Sequence, residues 1–234
     1  MRVSNEIHPI QGKILRTLLF KPKARFSELN GDKISTDQFS FHLKSLMDAH
    51  LLEKLDTAHY VLTNSGKEFA NRFDTEKIVI EKQAKITMII TTIKKENGKK
   101  YHLVHRRLKQ PYYGQVGYIN GKIRWGEKIE DAAKREFFEE AGLKASKITK
   151  LGVFHKTDYS PDNFLLEDKY FFIFRIDKYS GNLVTKLPEG ENFWATKEEY
   201  LAMPDKFSDI PDIVDIFDQN KFFFLEKTYI VTGF

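Results

Sequence analysis

In the first fifty residues apolar positions recur every three or four places: Ile10, Ile14, Leu15, Leu18 and Leu19 make one stripe, broken by Lys21-Pro22. This spacing predicts a helix. A short second helix is expected at about Phe26 to Asn30. A third, capped by Ser35 or Thr36, carries Phe39, Leu43, Leu46 and Met47 on one side and ends near His50. The period then changes. Leu51 to Leu55 and His59 to Leu62, separated by polar Asp56-Thr57-Ala58, read as a hairpin of short strands, and Thr63-Asn64-Ser65-Gly66 leads into a helix bearing Phe69 and Phe73.

Residues 74–84 read as a linker, with Ile78 to Ile80 a candidate bridging strand. Beyond them Lys85 to Lys94 is rich in Ile and Thr, Asn97-Gly98 is a strong hairpin turn, and Tyr101 to Leu108 returns as a strand. From Ile129 to Ala141 the residues are good helix formers. Glu130 and Asp131 suit the helix start, and Gly142 suits a left-handed stop. Apolar runs follow at Leu151 to His155, Tyr170 to Ile176 and Phe193-Trp194, before a Phe- and Ile-rich end. The expected division is 1–76, a linker at 77–84, and 85–234. The expected class is α+β, with a mixed sheet covered by helices in the second domain.

Glu136, Glu139 and Glu140 fall within an arc of about 100° and about 6 Å of rise on the Ile129 to Ala141 helix. Ile129, Ala132 and Ala133 share that arc, so the carboxylates are expected on the inward side. Crowded, partly desolvated carboxylates repel one another unless cations compensate. A hard divalent ion suits them: Mg²⁺ prefers oxygen ligands, and Mn²⁺ also fits.

The segment from Gly121 to Leu143 fits G-x5-E-x7-R-E-U-x-E-E-x-G-U at every specified position, through Gly121, Glu127, Arg135, Glu136, Phe137, Glu139, Glu140, Gly142 and Leu143. Chance agreement is on the order of one in a billion per start point. The segment resembles the box of the Nudix hydrolases. That resemblance implies an α/β/α sandwich with a mixed sheet and a metal-dependent attack of water on a diphosphate, in a nucleoside diphosphate linked to another moiety. It implies Glu136, Glu139 and Glu140 as metal ligands, with one of them, Glu139 in our assignment, assisting deprotonation of the water. Arg135 and Glu127 resemble the pair that orients these carboxylates. The residue before the box glycine, often glycine and a carbonyl ligand in the family, is Asn120 here, and it stands as a candidate ligand because asparagine tolerates left-handed geometry. A later carboxylate is expected at Glu189 or Glu191, with Glu189 preferred.

Outside the box, Arg106 and Arg107 are candidate phosphate holders, and Trp125, Tyr112, Tyr113 and Phe154 are candidate stacking groups. His102, His105 and His155 show no ligand spacing such as H-E-x-x-H.

The run from Phe26 to Phe73, with its Tyr60-Val61-Leu62-Thr63 and Gly66 ending, resembles the winged helix-turn-helix of bacterial transcription regulators. That resemblance implies double-stranded DNA as a second partner, met by Thr36, Gln38, Ser40, His42 and Lys44 of the third helix, with Lys54 and His59 near the wing. A structural or dimerising role is the alternative for the same fold, and a homodimer is expected. The competing whole-chain reading is a transcription regulator whose Nudix domain senses a nucleotide metabolite.

Composition narrows these readings modestly. The net charge is +5, with 11 Lys+Arg against 8 Asp+Glu in residues 1–73, which is no dense basic stripe. The absence of cysteine excludes thiolate catalysis, Cys-ligated zinc and the cysteine-dependent isopentenyl-diphosphate isomerase chemistry of the same fold family. No run of about 18 apolar residues and no secretory h-region is present, so no membrane partner and a cytoplasmic location are expected.

Overall fold

The computed structural model describes residues 7–31, 34–74, 79–80 and 82–234. The chain divides into two compact units, Met1–Lys82 and Gln83–Phe234.

In the first unit the elements are α1 (Pro9–Phe20), β1 (Ala24–Arg25), α2 (Phe26–Leu29), α3 (Thr36–Asp48), β2 (Leu52–Lys54), β3 (His59–Leu62), α4 (Asn64–Ala70), β4 (Phe73–Asp74) and β5 (Val79–Ile80). Ser35 is the cap of α3, its hydroxyl accepting from Gln38 N at 3.3 Å. β1, β3 and β2 form a small antiparallel sheet in that order. Ile14, Leu15, Leu18, Phe39, Leu43, Leu46 and Phe69 form the core, so the predicted stripes are the buried ones. Phe73 belongs to β4, not to the preceding helix, and pairs with Ile80. The expected bridging strand is therefore a short hairpin arm at Val79–Ile80, and Ile78 lies outside the described residues.

The second unit begins with β6 (Lys85–Glu96) and β7 (Lys99–Arg107), joined through Asn97 and Gly98, both at positive φ as a type I′ turn requires. It continues with β8 (Val116–Gly117), β9 (Ile119–Lys122), α5 (Ile129–Ala141), β10 (Lys144–Tyr159), β11 (Leu165–Ser180), β12 (Lys186–Leu187) and β13 (Gly190–Ala195). It ends with α6 (Lys197–Ala202), α7 (Ile210–Ile213), a 3₁₀ turn (Val214–Asp218) and β14 (Phe223–Ile230). The strand order is β12-β13-β7-β6-β11-β10-β14. β6 lies parallel to β11 and β10 parallel to β14, while the other pairs are antiparallel, so the sheet is mixed.

One edge of β6 changes partner. Residues 87–90 pair with β9, and residues 93–96 pair with β7. The sheet forks there. On one face Met88, Ile90, Ile119 and Phe174 pack against Ala132, Ala133, Phe137 and Ala141 of α5. On the other, Ile89, Phe154, Phe171 and Ile173 pack against Tyr200, Ile210, Ile213 and Phe217 from the C-terminal helices. No helix among the described residues is long and apolar enough to cross a membrane.

Phe137 is fully buried where α5 meets the sheet. Phe137→Ala is expected to cost about 3–5 kcal/mol, read as a lower urea midpoint by circular dichroism with little change in the slope.

Candidate active site

The helix that carries the glutamates starts with Glu130 and Asp131 in its first turn and stops at Gly142, in the left-handed conformation at φ 71°. Its C-terminal end is tied to β13 by the buried Asn192, which donates to Glu140 O at 2.5 Å and to Val184 O at 2.8 Å. Asn192 Oδ1 meets His105 Nδ1 at 2.9 Å. The loop before the helix is held by Arg135, at the middle of α5. The guanidinium forks onto Glu127 through two bonds of 2.7 Å, reaches Glu136 at 2.6 Å and Glu139 at 2.9 Å, and donates to Lys122 O at 3.0 Å. Arg124 adds a bond from its backbone N to Glu127 at 3.0 Å and one from its side chain to Glu139 at 3.2 Å.

These hydrogen bonds favour the ionised carboxylate. Those from Arg135, followed by the Arg124 amide, hold Glu127 down at about 2, against the opposing effect of burial. Its three carboxylate partners hold Arg135 above its ordinary value.

Strand β9 approaches α5 so closely that a Cβ on Gly121 would lie 2.2 Å from Glu136 Cγ. Glycine is required here for proximity, because its φ is not positive. Asn120 is a regular member of β9 with no positive φ, so the tolerance for left-handed geometry expected of it is not called on. Thr87 Oγ1 lies 2.9 Å from Asn120 Oδ1 and 2.5 Å from Gly121 O.

Beside this junction a cavity of about 880 Å³ opens at the fork of the sheet. Glu136, Glu140, Asn120, Gly121, Arg107 and Glu189 all line it. Glu139 does not line it: at 46% side-chain exposure it stands at the outer margin of the helix face. The inward arc therefore holds for Glu136 and Glu140, which line the cavity, and fails for Glu139. The buried stripe is centred on Ala133 and Phe137, and Glu139 is roughly 140° round from it at ~100° per residue. Among the described residues no three His, Asp or Glu side chains are gathered around one point as metal ligands, and Arg135 draws Glu136 and Glu139 toward itself. The local donors are nevertheless all oxygen, and the Glu136 side chain, 13% exposed, lies in the space that a Cβ on Gly121 would fill, next to the Asn120 and Gly121 backbone. That donor set fits a hard divalent cation.

The remaining sequence candidates separate. Arg107 donates to Pro111 O at 2.5 Å and Gln110 O at 3.0 Å, holding the loop at the cavity mouth, and burial pulls its pKa down. Arg106 does not line the cavity; it donates to Gly114 O at 2.8 Å and pairs with Asp205. Glu189 pairs with Lys109, which also faces the cavity, whereas Glu191 pairs in register with Arg106 on β7. Phe154 is core, Tyr112 is buried, and Tyr113 and Trp125 are exposed, Trp125 at 89%. His105 lines the cavity; His102 is buried against Tyr118, and His155 stacks on Tyr170 between Glu226 and Asp168. In the first unit Thr36, Gln38, Ser40 and Lys44 are exposed on α3. His42 is not: it is 6% exposed and stacks on His8 at 4.1 Å, because it follows the buried Phe39 by three positions. It is thus withdrawn from the candidate DNA-contact face.

Sequence reasoning missed the charged wall of the cavity, Lys85, Lys156, Asp158, Glu167, Lys169 and Asp209. Lys156 bridges Asp158 and Asp209 at 3.3 and 3.0 Å, and Glu167 pairs with Lys85 at 2.9 Å and with Lys169. Burial, then Lys85 and Lys156, hold Lys169 down at about 8. The alternation Lys156-Thr157-Asp158 and Glu167-Asp168-Lys169 on two long strands was the available signal.

A fork of glutamates and an arginine at a glycine-lined strand, beside a cavity in a mixed sheet, defines a class of protein. The NUDIX-domain family model matches residues 84–214, and the chain belongs to that family. Among similar proteins, an oxidized purine nucleoside triphosphate hydrolase of Danio rerio is 37% identical over 68 residues, which are 29% of this chain and 41% of that relative. The chain thus spans well under half of that relative's length. A mutator MutT protein of Bacillus halodurans superposes with a TM-score of 0.52 at 20% identity, over 62% of this chain and 90% of that one. The NUDIX domain of Shewanella oneidensis NrtR, solved with ADP ribose, gives 0.51 at 15% identity, over 66% and 96%. These two likenesses concern the fold.

Since Glu127 titrates below an ordinary carboxylate, the clamp's contribution to stability is fully present above about pH 4.3 and is lost as the pH falls through about 2. Carbon-detected NMR titration is expected to give that low midpoint in the wild type and a higher one in Arg135→Lys, which cannot fork. An unchanged midpoint in the variant would show that Arg135 is not the cause.

Proposed function

We propose that this chain is a divalent-metal-dependent pyrophosphohydrolase acting on a nucleoside diphosphate linked to another moiety. The observation that carries the proposal is the complete box folded into one junction, with Arg135 forked on Glu127 and reaching Glu136 and Glu139 beside the cavity. In this reading Glu136, Glu139 and Glu140 hold Mg²⁺ or Mn²⁺, joined by a carbonyl of Asn120 and by Glu189. The bound ion supplies charge neutralisation on the bridging and leaving oxygens. Glu139, at the solvent margin, takes the proton from the attacking water. Arg135 and Glu127 orient the carboxylates, and Arg107 with Lys109 presents positive charge at the cavity mouth to the second phosphate. The matched curated relative is named for oxidised purine nucleoside triphosphates, which supports a nucleotide as the substrate.

The first unit supports a second role. We read the order α1-β1-α2-α3-β2-β3, with its three-stranded sheet, as a winged helix whose α3 presents Thr36, Gln38, Ser40 and Lys44 to double-stranded DNA. The chain would then join a hydrolase to a DNA-binding or dimerising module, as a homodimer in the cytoplasm.

With Mg²⁺ and a panel of nucleoside triphosphates and dinucleotides, the wild type is expected to release phosphorylated products. Glu139→Gln and Glu140→Gln should each lower kcat/KM by about 10²-fold or more. No wild-type turnover on any member would overturn the hydrolase reading. For the first unit, Lys44→Ala is expected to weaken DNA binding and to reduce its salt slope by about 1; fluorescence anisotropy across a salt series measures both.

A further inference from the structure

The charged wall of the cavity contains one atom that the hydrolytic reading does not use. Asp158, on β10, is 2% exposed and lines the cavity. Its Oδ2 accepts from the Tyr112 hydroxyl at 2.7 Å and lies 3.3 Å from Lys156 Nζ. Its Oδ1 has no hydrogen-bond partner among the described residues. Lys156 is shared with a second acid: it also donates to Asp209 at 3.0 Å and sits over the rings of Phe207 and Tyr229 at 5.5 and 5.3 Å. A buried carboxylate oxygen without a donor is unfavourable, so its persistence calls for a partner that arrives from outside.

The chemistry of that partner follows from the surroundings. A carboxylate oxygen accepts and does not donate, so it repels phosphate and carboxylate and takes an N–H or O–H. Phe171, Phe207, Ile210 and Ile213 line the same cavity and offer apolar surface to a flat ring. β10 is separated from β9 by β11 and β6, three strand spacings or about 14 Å at ~4.8 Å each. A nucleotide whose phosphates meet the Glu136 junction beside β9 has its base free to reach this wall.

We propose that Asp158 Oδ1 is the specificity-determining acceptor for an N–H of the substrate's base, so that the preferred substrates are nucleotides whose base presents an N–H donor edge. This inference rests on the nucleotide-hydrolase reading of the same cavity. Tyr112 and Lys156 act as positioning residues that hold Oδ2 and leave Oδ1 directed at the ligand.

The test compares guanosine, adenosine and unsubstituted purine riboside triphosphates with Mg²⁺, using the wild type and Asp158→Asn, with melting curves for both. The wild type is expected to prefer the two N–H-bearing bases by about tenfold or more in kcat/KM, equivalent to about 1.4 kcal/mol. Asp158→Asn should compress that preference to below about threefold, mainly through KM. Metal-free calorimetry of wild type with the corresponding monophosphates reads base preference without turnover. Equal binding of the three overturns the inference even if hydrolysis proceeds. Preferential binding without hydrolysis upholds it while removing the hydrolase reading. Should Asp158→Asn fail to fold, a wild-type crystal structure with guanosine monophosphate decides: a base N–H within about 3.2 Å of Oδ1 is expected, and a water at Oδ1 with the base seated elsewhere overturns the proposal.

Discussion

Three carboxylates and a single guanidinium, spread from the loop before α5 to its last turn, set the geometry on which the rest of the cavity depends. The Arg135 guanidinium is planar and presents its donors in a rigid fork, so two of its nitrogens take both oxygens of Glu127 while the third reaches Glu136 and Glu139. A lysine ammonium would satisfy the charge but not the directions. The loop from Arg124 to Glu127 is thereby fastened to the helix, and its bond to Lys122 O fastens the helix to β9. Glu136 is left lying against the α-carbon of Gly121, in the gap where the sheet forks.

The fork itself has a packing origin. β6 is long enough to serve β9 with one stretch and β7 with another, and both faces of the strand are buried, Met88 and Ile90 under α5 and Ile89 under the C-terminal helices. A strand held on both faces cannot slide, so the opening between its two partners is a permanent feature. The polar residues at the end of one face, Lys85, Lys156, Asp158, Glu167 and Lys169, continue the same rows that carry Ile89, Phe171 and Phe154 further along. The cavity thus joins an apolar floor to a charged wall. Within that wall the ions are paired with one another, which lets lysines and acids persist at low exposure.

In the first unit the same period that builds the core decides which side chains remain outside. Phe39, His42, Leu43 and Leu46 turn inward together on α3, leaving Thr36, Gln38, Ser40 and Lys44 to solvent. The chemistry of His42 suits a base contact, but its position in the repeat assigns it to the core, where it stacks on His8. Residue type suggested one role and helical phase imposed another.

Local patterning determined much of this protein: the α1 and α3 stripes, the Asn97-Gly98 turn, the extent of α5 and its stop at Gly142, and the spacing that brings Arg135, Glu136, Glu139 and Glu140 onto neighbouring turns. These features depend on periods of two and 3.6 residues and on backbone preferences that each short segment carries with it. Pairings across long separations belonged to the tertiary structure alone. It separated Arg107 at the cavity from Arg106 on the far side of β7, moved Glu139 to the margin, and buried Phe154 in the core. It also brought Asp158 within reach of Tyr112 and Lys156 of Asp209, contacts that span 46 and 53 residues. A charged residue's surroundings are set by which strands lie beside it, and the alternation along one strand carries no record of its neighbours.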